Sequence, residues 1–117
     1  MKKDVRIYID DMQDAIAAIE RYVAGMDEIK FSRTDYIQDA VIRQLAIIGE
    51  AARNVPEEVR KQAPDIPWRK IVDFRNVIIH EYSGISLGRV WQIIVRELSN
   101  LKRQLTTLKQ GLNDTEN

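Results

Sequence analysis

Hydrophobic residues recur at intervals of three and four positions along almost the whole chain, and no segment alternates between apolar and polar residues as a half-buried β-strand does. That spacing places apolar side chains on one face of an α-helix. The first stripe predicts a helix over about residues 4–26, and its apolar positions are Val5, Ile9, Met12, Ile16, Ile19, Val23 and Met26. Gly25 and the following segment DEIKFSR predict the end of this helix.

A second helix is predicted to begin at the tetrapeptide SRTD, residues 32–35, which resembles a helix-capping sequence, and to run to about Asn54. Its central part, residues 40–52, is apolar on nearly every side. This is typical of the central helix of a bundle, or of a helix covered both by its own domain and by a second subunit. Arg43 and Glu50 interrupt the apolar surface, and they share a face because they are seven residues apart.

Prolines and a glycine divide the next part of the chain. Pro56 predicts the first turn of a short helix over about residues 56–63, which the next proline ends. A fourth helix over about residues 67–82 follows, opened by Pro67 and terminated by Gly84.

Ser86 is predicted to cap the last long helix. Its apolar stripe consists of Val90, Ile94, Leu98, Leu101, Leu105 and Leu108. After Lys109 the composition turns polar, which predicts a frayed tail from about residue 110. Four long helices, one short helix and brief connections predict an all-α fold, an antiparallel helical bundle that forms one domain over residues 1–117.

Composition narrows the possible functions. The chain has no cysteine and one histidine, so neither a disulfide framework nor a cysteine- or histidine-based metal site is expected. Eighteen basic residues balance eighteen acidic ones, so any anionic ligand must be held by a local cluster rather than by the charge of the whole molecule. No apolar run approaches the roughly 18 residues of a membrane span, and the N-terminal sequence lacks the features of a signal peptide. A cytoplasmic protein without membrane contact is expected.

Arg75 occupies an unexpected position in the predicted fourth helix, because apolar residues surround it on the helical wheel. At about 100° per residue, the side chains within about 60° of it are those of Trp68, Ile71, Val72, Ile78, Ile79 and Tyr82. A guanidinium is costly to bury without a carboxylate, a phosphate or another acceptor. Asn76 and His80 lie together on a flank of the helix, about 100–140° from Arg75 and next to Arg69 and Asp73.

These residue types are those of a site that binds and cleaves phosphate esters. An arginine neutralises charge that accumulates on a phosphoryl group, and an imidazole takes or gives a proton near neutral pH, without a metal ion. A purely structural interpretation is also open. In it, Arg75 forms an ion-pair network with Glu50 and Arg43, and His80 is a solvated helix residue.

The segment RNVIIH, residues 75–80, is an Arg-x4-His element with a polar residue directly after the arginine, and HEY, residues 80–82, extends it to His-x-Tyr. Residues 47–85, which include the segments GEA and IPW, resemble the HepT-like branch of the HEPN-domain ribonucleases almost end to end. The helical pattern on both sides of this segment agrees with that branch. Ile79 and Ser83 depart from its pattern, where a smaller residue and an aromatic residue are expected.

The resemblance implies a homodimer whose paired Arg-x4-His elements line a shared cleft, and a toxin that cuts RNA without a metal ion or another cofactor. It also implies a partner, a minimal nucleotidyltransferase antitoxin that transfers AMP to the tyrosine of the His-x-Tyr element and forms a larger complex with the toxin. On this chain Arg75 and His80 would be catalytic, Asn76 would support them, and Tyr82 would be modified. Two other functions stay open: an inactive binding module for the nucleotidyltransferase, and a purely structural helical dimer.

Overall fold

Every regular element in residues 4–116, the part of the chain that the computed structural model describes, is helical, which confirms the predicted all-α class. The α-helices are α1 (Val5–Tyr22), α2 (Glu28–Ser32), α3 (Asp35–Arg53), α4 (Glu57–Arg60), α5 (Trp68–His80), α6 (Leu87–Gln92) and α7 (Leu98–Glu116). A single 3-10 turn, Tyr82–Gly84, follows α5, and a π-helical segment, Ile93–Glu97, joins α6 to α7.

Helix α3 is central, because it packs against α1 on one side and against α5 on the other. Its apolar composition accounts for this position, since two of its faces are covered by other helices. The core of the described chain draws on almost every helix, and its fully buried large side chains are Ile9, Met12, Ile16, Ile19, Phe31, Val41, Val90 and Leu105. Across residues 4–116 there is no helix with both the length and the hydropathy needed to span a membrane.

The segment after α1 differs from the prediction, because it contains a short helix where a simple break was expected. Helix α1 ends at Tyr22, and Gly25 turns the chain with a φ of 77°, a value that glycine adopts without strain. The Asp27 carboxylate then accepts the Lys30 amide at 2.8 Å and starts α2. Phe31 is buried, and its ring centroid lies 5.3 Å from that of Trp91. Packing of Phe31 against Trp91, a residue far along the chain, holds α2 in place. The mostly polar sequence of α2 gave no indication of this contact.

The predicted capping function of SRTD is wrong, although the helix it precedes was placed correctly. Ser32 is the last residue of α2, and its hydroxyl donates to the Ile29 carbonyl at 2.7 Å. Thr34 occupies the N-cap position of α3, but its hydroxyl donates backwards to the Lys30 carbonyl at 2.6 Å and caps nothing. Both hydroxyls donate to backbone carbonyl groups of α2, a helix that was not predicted, so neither is available to cap α3.

The two helices that begin near prolines are shorter than predicted. Helix α4 covers only part of residues 56–63, and Pro56 and Pro67 each lie just before a helix rather than inside its first turn. Helix α5 ends at His80, because Glu81 leaves the helical conformation with φ −135° and ψ 39°. The helix therefore does not continue to residue 82, and Gly84 closes the following 3-10 turn instead of terminating α5.

The last helix begins as predicted but extends further. Ser86 Oγ accepts the Arg89 amide at 3.2 Å, which confirms its role as N-cap. Helix α7 continues to Glu116, so the predicted boundary near residue 110 is wrong. Polar contacts with α1 hold this polar end of α7: Arg6 Nη1 donates to Asn113 Oδ1 at 3.1 Å.

Candidate functional site

Helices α3 and α5 approach each other most closely where Gly49 faces Arg75. A β-carbon built on Gly49 would overlap the β-carbon of Arg75 and lie 3.1 Å from the carbonyl oxygen of Ile71. Only a residue without a side chain fits this distance, so Gly49 allows the stem of Arg75 to lie directly on the backbone of α3. No role was predicted for Gly49 from its position in the sequence, although the segment GEA, residues 49–51, contributed to the family resemblance.

The guanidinium of Arg75 is held by two oxygen acceptors. Its Nη2 lies 2.7 Å from Glu50 Oε2, and its Nη1 donates to Asn76 Oδ1 at 3.0 Å. The side chain of Arg75 is 19% exposed, whereas that of Glu50 is 51% exposed. The predicted pairing of Arg75 with Glu50 is thus confirmed, and it explains how a cation is accommodated on an apolar stripe.

Arg43 does not join this ion pair, so the predicted three-residue network is wrong in that member. Its side chain is exposed and forms no hydrogen bond or ion pair with any residue of the described range. Arg43 and Glu50 share a face of α3, but seven residues correspond to about 10 Å along a helix. At that separation Arg43 does not contact the Glu50 carboxylate, which pairs with Arg75 instead.

Asn76 and His80 lie on the exposed side of α5, one helical turn apart. His80 is the last residue of the helix, and its side chain forms no hydrogen bond or ion pair within residues 4–116. Five residues separate it from Arg75, which corresponds to about 140° around the helix. The structure therefore joins Asn76 to Arg75 but does not bring the imidazole and the guanidinium together within one chain.

Tyr82 lies beyond the end of α5, in the 3-10 turn, where its side chain is about half exposed. Its phenol hydroxyl donates to Asp39 Oδ1 of α3 at 2.8 Å. Because the carboxylate accepts the phenol hydrogen and so stabilises the neutral form, it raises the pKa of Tyr82. Asp39 was missed by the sequence analysis, since 43 residues separate the two partners and no local spacing links them.

Part of the stripe predicted around Arg75 is exposed rather than buried. Trp68 and Ile78 are buried, but Ile79 is 50% exposed. Two further apolar side chains, Tyr36 and Ile47, are exposed on α3. They lie on the same face as Glu50, within about 60° of it on the helical wheel. Ile47 and Ile79, each about one turn from Glu50 or Arg75, therefore place exposed apolar groups next to the Arg75–Glu50 pair, whereas Tyr36 lies near the beginning of α3.

Two grooves of the described chain lie elsewhere, and none of the four predicted site residues lines either of them. The larger of the two has a volume of about 580 Å³. It lies between α5 and the continuous helical segment formed by α6, the π-helical residues and the start of α7. Its lining includes Phe74, Val77 and Ile93 with charged residues such as Lys70 and Arg96. Arg75, Asn76 and His80 thus lie outside both grooves.

The chemistry available at this surface is that of a cation and a proton carrier. Arg75 presents a planar, permanently charged donor whose orientation is set by Glu50 and Asn76. His80 presents an imidazole that no other described residue engages. Within residues 4–116, no three or more histidine, aspartate or glutamate side chains are grouped as a metal ion would require.

Comparison with known proteins adds a family assignment. The family model described as "Ribonuclease HepT-like" matches residues 12–108. A protein of Methanocaldococcus jannaschii named "Gamma-glutamylcyclotransferase and putative RNase" is 35% identical over 117 residues, which are 100% of this chain and 53% of that protein. A "Probable ribonuclease HepT" of Thermococcus cleftensis is 33% identical over 110 residues, 94% of this chain and 100% of the relative.

The chain spans about half the length of the first of these relatives and the whole length of the second. No solved structure matches the chain significantly. The match to residues 12–108 includes every predicted site residue, from Arg75 to Tyr82.

Proposed function

The chain belongs to the ribonuclease HepT-like family, and on that basis we propose that it is an endoribonuclease toxin that cleaves RNA without a metal ion. The observation that carries the proposal is the arrangement on α5. Arg75 is held in a defined orientation by Glu50 and Asn76, while the His80 side chain is exposed and makes no hydrogen bond or ion pair within residues 4–116. An oriented cation and an unengaged imidazole on the same helix, together with the same groups of a second chain, are suited to the cleavage of a phosphodiester.

In the proposed reaction the 2′-hydroxyl of the RNA attacks the adjacent phosphorus. The bond from O2′ to phosphorus forms, and the bond from phosphorus to the 5′-oxygen of the next nucleotide breaks. Imidazole groups take the proton from the 2′-hydroxyl and supply one to the leaving oxygen, and Arg75 stabilises the added negative charge. The products carry a 2′,3′-cyclic phosphate and a 5′-hydroxyl. Single-stranded segments and loops are the expected targets, because their phosphates and sugars are accessible.

Two copies of the chain are proposed to form the active site. Arg75 and His80 diverge by about 140° on one helix, so groups from a second chain are needed to surround one phosphate. A second copy would also supply a second imidazole, so that one histidine acts as base and the other as acid. The exposed side chains of Ile79 and Ile47, each about one helical turn from Arg75 or Glu50, provide an apolar surface beside this pair for the contact.

If Ile79 lies in the proposed dimer interface, a charged residue at this position should weaken dimer formation. Ile79→Glu is expected to weaken self-association at least about 100-fold, because burial of an unpaired carboxylate costs several kcal/mol. RNA cleavage should fall with it at concentrations where the variant is monomeric. Light scattering during size-exclusion chromatography measures the first effect, and cleavage of labelled RNA the second.

Ile29→Glu is the matched control, because Ile29 is 61% exposed on α2 and lies outside the proposed contact. It should associate and cleave as the unmodified chain does. A stable dimer of Ile79→Glu with full activity would refute the proposed interface.

A minimal nucleotidyltransferase is proposed as the antitoxin. It would transfer AMP to the Tyr82 hydroxyl and form a larger complex with the toxin dimer. Tyr82 is two residues beyond His80 and about half exposed, so an enzyme can reach it and a nucleotide attached there would lie beside the imidazole. The added group would therefore exclude RNA from the site.

A second candidate function is a catalytically inactive module that binds the nucleotidyltransferase. One observation favours it: the guanidinium of Arg75 already has two acceptors in its own chain, as expected of a structural cation. In that case the ion pair stabilises the contact of α3 with α5 and Arg75 does not bind phosphate.

Cleavage in the presence of EDTA separates the two candidates. If the chain is the proposed nuclease, the purified protein should cut single-stranded RNA at the same rate, within about twofold, with excess EDTA or with Mg²⁺, because the proposed mechanism draws on Arg75 and His80 alone. The fragments should accept phosphate from polynucleotide kinase directly, since their 5′-ends are hydroxyls. No cleavage by a dimer that still binds the nucleotidyltransferase would favour the module, and loss of activity in EDTA would contradict the proposed chemistry.

A further inference from the structure

Exposure does not distinguish Tyr82 as the tyrosine to be modified. Tyr36 on α3 is 71% exposed, whereas Tyr82 is 51% exposed. The Tyr36 hydroxyl has no hydrogen-bond partner among residues 4–116, so it is also the less hindered of the two. Selection by accessibility alone would favour Tyr36. A different property must therefore mark Tyr82.

That property is the hydrogen bond to Asp39. Asp39 lies on α3, three residues after Tyr36 on the same helix, yet its Oδ1 accepts the hydroxyl of Tyr82 at 2.8 Å. The side chains of Val41 and Ile42, which follow it, are buried in the core, so Asp39 projects from a fixed element. The carboxylate is thus placed by the fold and not by the flexibility of a loop.

Tyr82 itself is on a weakly held segment. In the 3-10 turn, the Gly84 amide donates to the Glu81 carbonyl at 2.8 Å, and the Ile85 amide donates to the Tyr82 carbonyl at 3.4 Å. The side chain of Tyr82 has one hydrogen bond, the one to Asp39. Asp39 therefore restricts the position of the reactive oxygen, and an oxygen that is held in place needs less ordering before it reacts.

We propose that Asp39 positions the Tyr82 hydroxyl for nucleotidyl transfer and accepts its proton when the bond to phosphorus forms. The inference rests on the proposed modification of Tyr82. The bond from Tyr82 Oη to the α-phosphorus of a nucleoside triphosphate forms, and the bond from that phosphorus to the bridging oxygen breaks. Pyrophosphate leaves with the electron pair, and the phenol proton moves to Asp39. The nucleoside triphosphate is supplied by the nucleotidyltransferase partner.

The protonation state of Tyr82 agrees with this order of events. A phenol of ordinary pKa keeps its proton at neutral pH, and the hydrogen bond to the Asp39 carboxylate raises the pKa of Tyr82 further. Proton transfer then accompanies the attack on phosphorus, when the phenol oxygen loses electron density and becomes a stronger acid. Tyr36 has no carboxylate in this position, since Asp39 is already engaged by Tyr82.

The test compares the rates at which purified variants are modified by the proposed nucleotidyltransferase partner in the presence of Mg-ATP. Asp39→Asn should lower kcat for AMP incorporation at Tyr82 by at least about tenfold, with KM for ATP unchanged, because removal of a proton acceptor affects the chemical step. Asp39→Glu should restore part of the rate. Intact-protein mass spectrometry gives the rates, and peptide mapping separates Tyr82 from Tyr36.

Glu20→Gln is the matched control, since Glu20 is another exposed carboxylate that accepts a hydrogen bond from a distant residue, Lys102, at 3.0 Å. Its modification rate should equal that of the unmodified chain. Thermal melting checks that every variant is folded.

Three outcomes separate this inference from the proposed function. A reduced kcat in Asp39→Asn with partial rescue by glutamate supports the role of Asp39. A rate in Asp39→Asn equal to that of the unmodified chain overturns this role and leaves the proposed modification intact. If the unmodified chain receives no AMP at Tyr82 while the nucleotidyltransferase still silences it, both the modification and the role of Asp39 are overturned.

Discussion

Replacement of His80 by alanine is expected to lower the rate of RNA cleavage by about 10²–10⁴-fold, the contribution of a general acid or base. The fold should not change, because the His80 side chain is exposed and makes no hydrogen bond or ion pair within residues 4–116. A surface substitution of this kind alters stability by about 0.5 kcal/mol or less. Cleavage rate and melting temperature, measured on the same sample, give the comparison.

Arg75 should behave differently from His80, because its side chain has a structural contact as well as the proposed catalytic role. Arg75→Ala removes the partner of Glu50 and is expected to abolish cleavage with some loss of stability. Arg75→Lys keeps the charge but not the planar fork that meets Glu50 and Asn76 together, so it should recover little activity.

Arg69→Ala is the matched control for these substitutions. Arg69 lies on the same helix, its side chain is 95% exposed, and its contact with Asp73 is long, at 3.9 Å. This variant should retain both cleavage and stability. Full cleavage by purified His80→Ala would show that the imidazole has no catalytic role, and the proposed mechanism would have to be abandoned.

Gly49→Ala is expected to destabilise the protein, although alanine favours a helix more than glycine does. The new methyl group would overlap the β-carbon of Arg75, which is close to the backbone of α5 and cannot rotate away. Overpacking of this kind costs about 1–3 kcal/mol, which exceeds the roughly 0.5–1 kcal/mol that alanine contributes within a helix. A net decrease in Tm of several degrees, at about 4–8 °C per kcal/mol, is expected in calorimetry.

Cleavage should decrease in Gly49→Ala as well, because separation of α3 from α5 moves Arg75 relative to Glu50. Gly111→Ala in α7 provides the control, since a β-carbon there has no atom within 4 Å. That variant should be as stable as the unmodified chain or slightly more so. If Gly49→Ala melted at or above the temperature of Gly111→Ala, the close contact of the two helices would be disproved.

The helical class and most helices could be predicted because their signals are local. An apolar residue at every third or fourth position indicates a helix irrespective of its packing, and Ser86 was recognised as a cap from its position before a stripe. The pairing of Arg75 with Glu50 was also foreseen, since a cation on an apolar stripe requires an acceptor and few acids are available on the apolar helices.

Helix ends were less predictable, because contacts with other segments set them. Helix α2 is anchored by the packing of Phe31 against Trp91, a contact between residues 60 positions apart. The polar end of α7 remains helical beside α1, with Asn113 accepting a hydrogen bond from Arg6. Neither contact has a counterpart in the spacing of residues along the chain, so both boundaries were placed wrongly.

The amino-acid order was sufficient for the all-α class, for the family, and for naming the four residues proposed as the cleavage and modification sites, because periodicity and the Arg-x4-His-x-Tyr element are local features of the sequence. Packing alone revealed that Gly49 brings α5 against α3 and that Asp39 receives the hydroxyl of Tyr82. The reason is geometric: contacts between residues 26 and 43 positions apart depend on how closely and in what register two helices meet. The packing of the whole core determines that register, so it cannot be predicted from any short segment of the sequence.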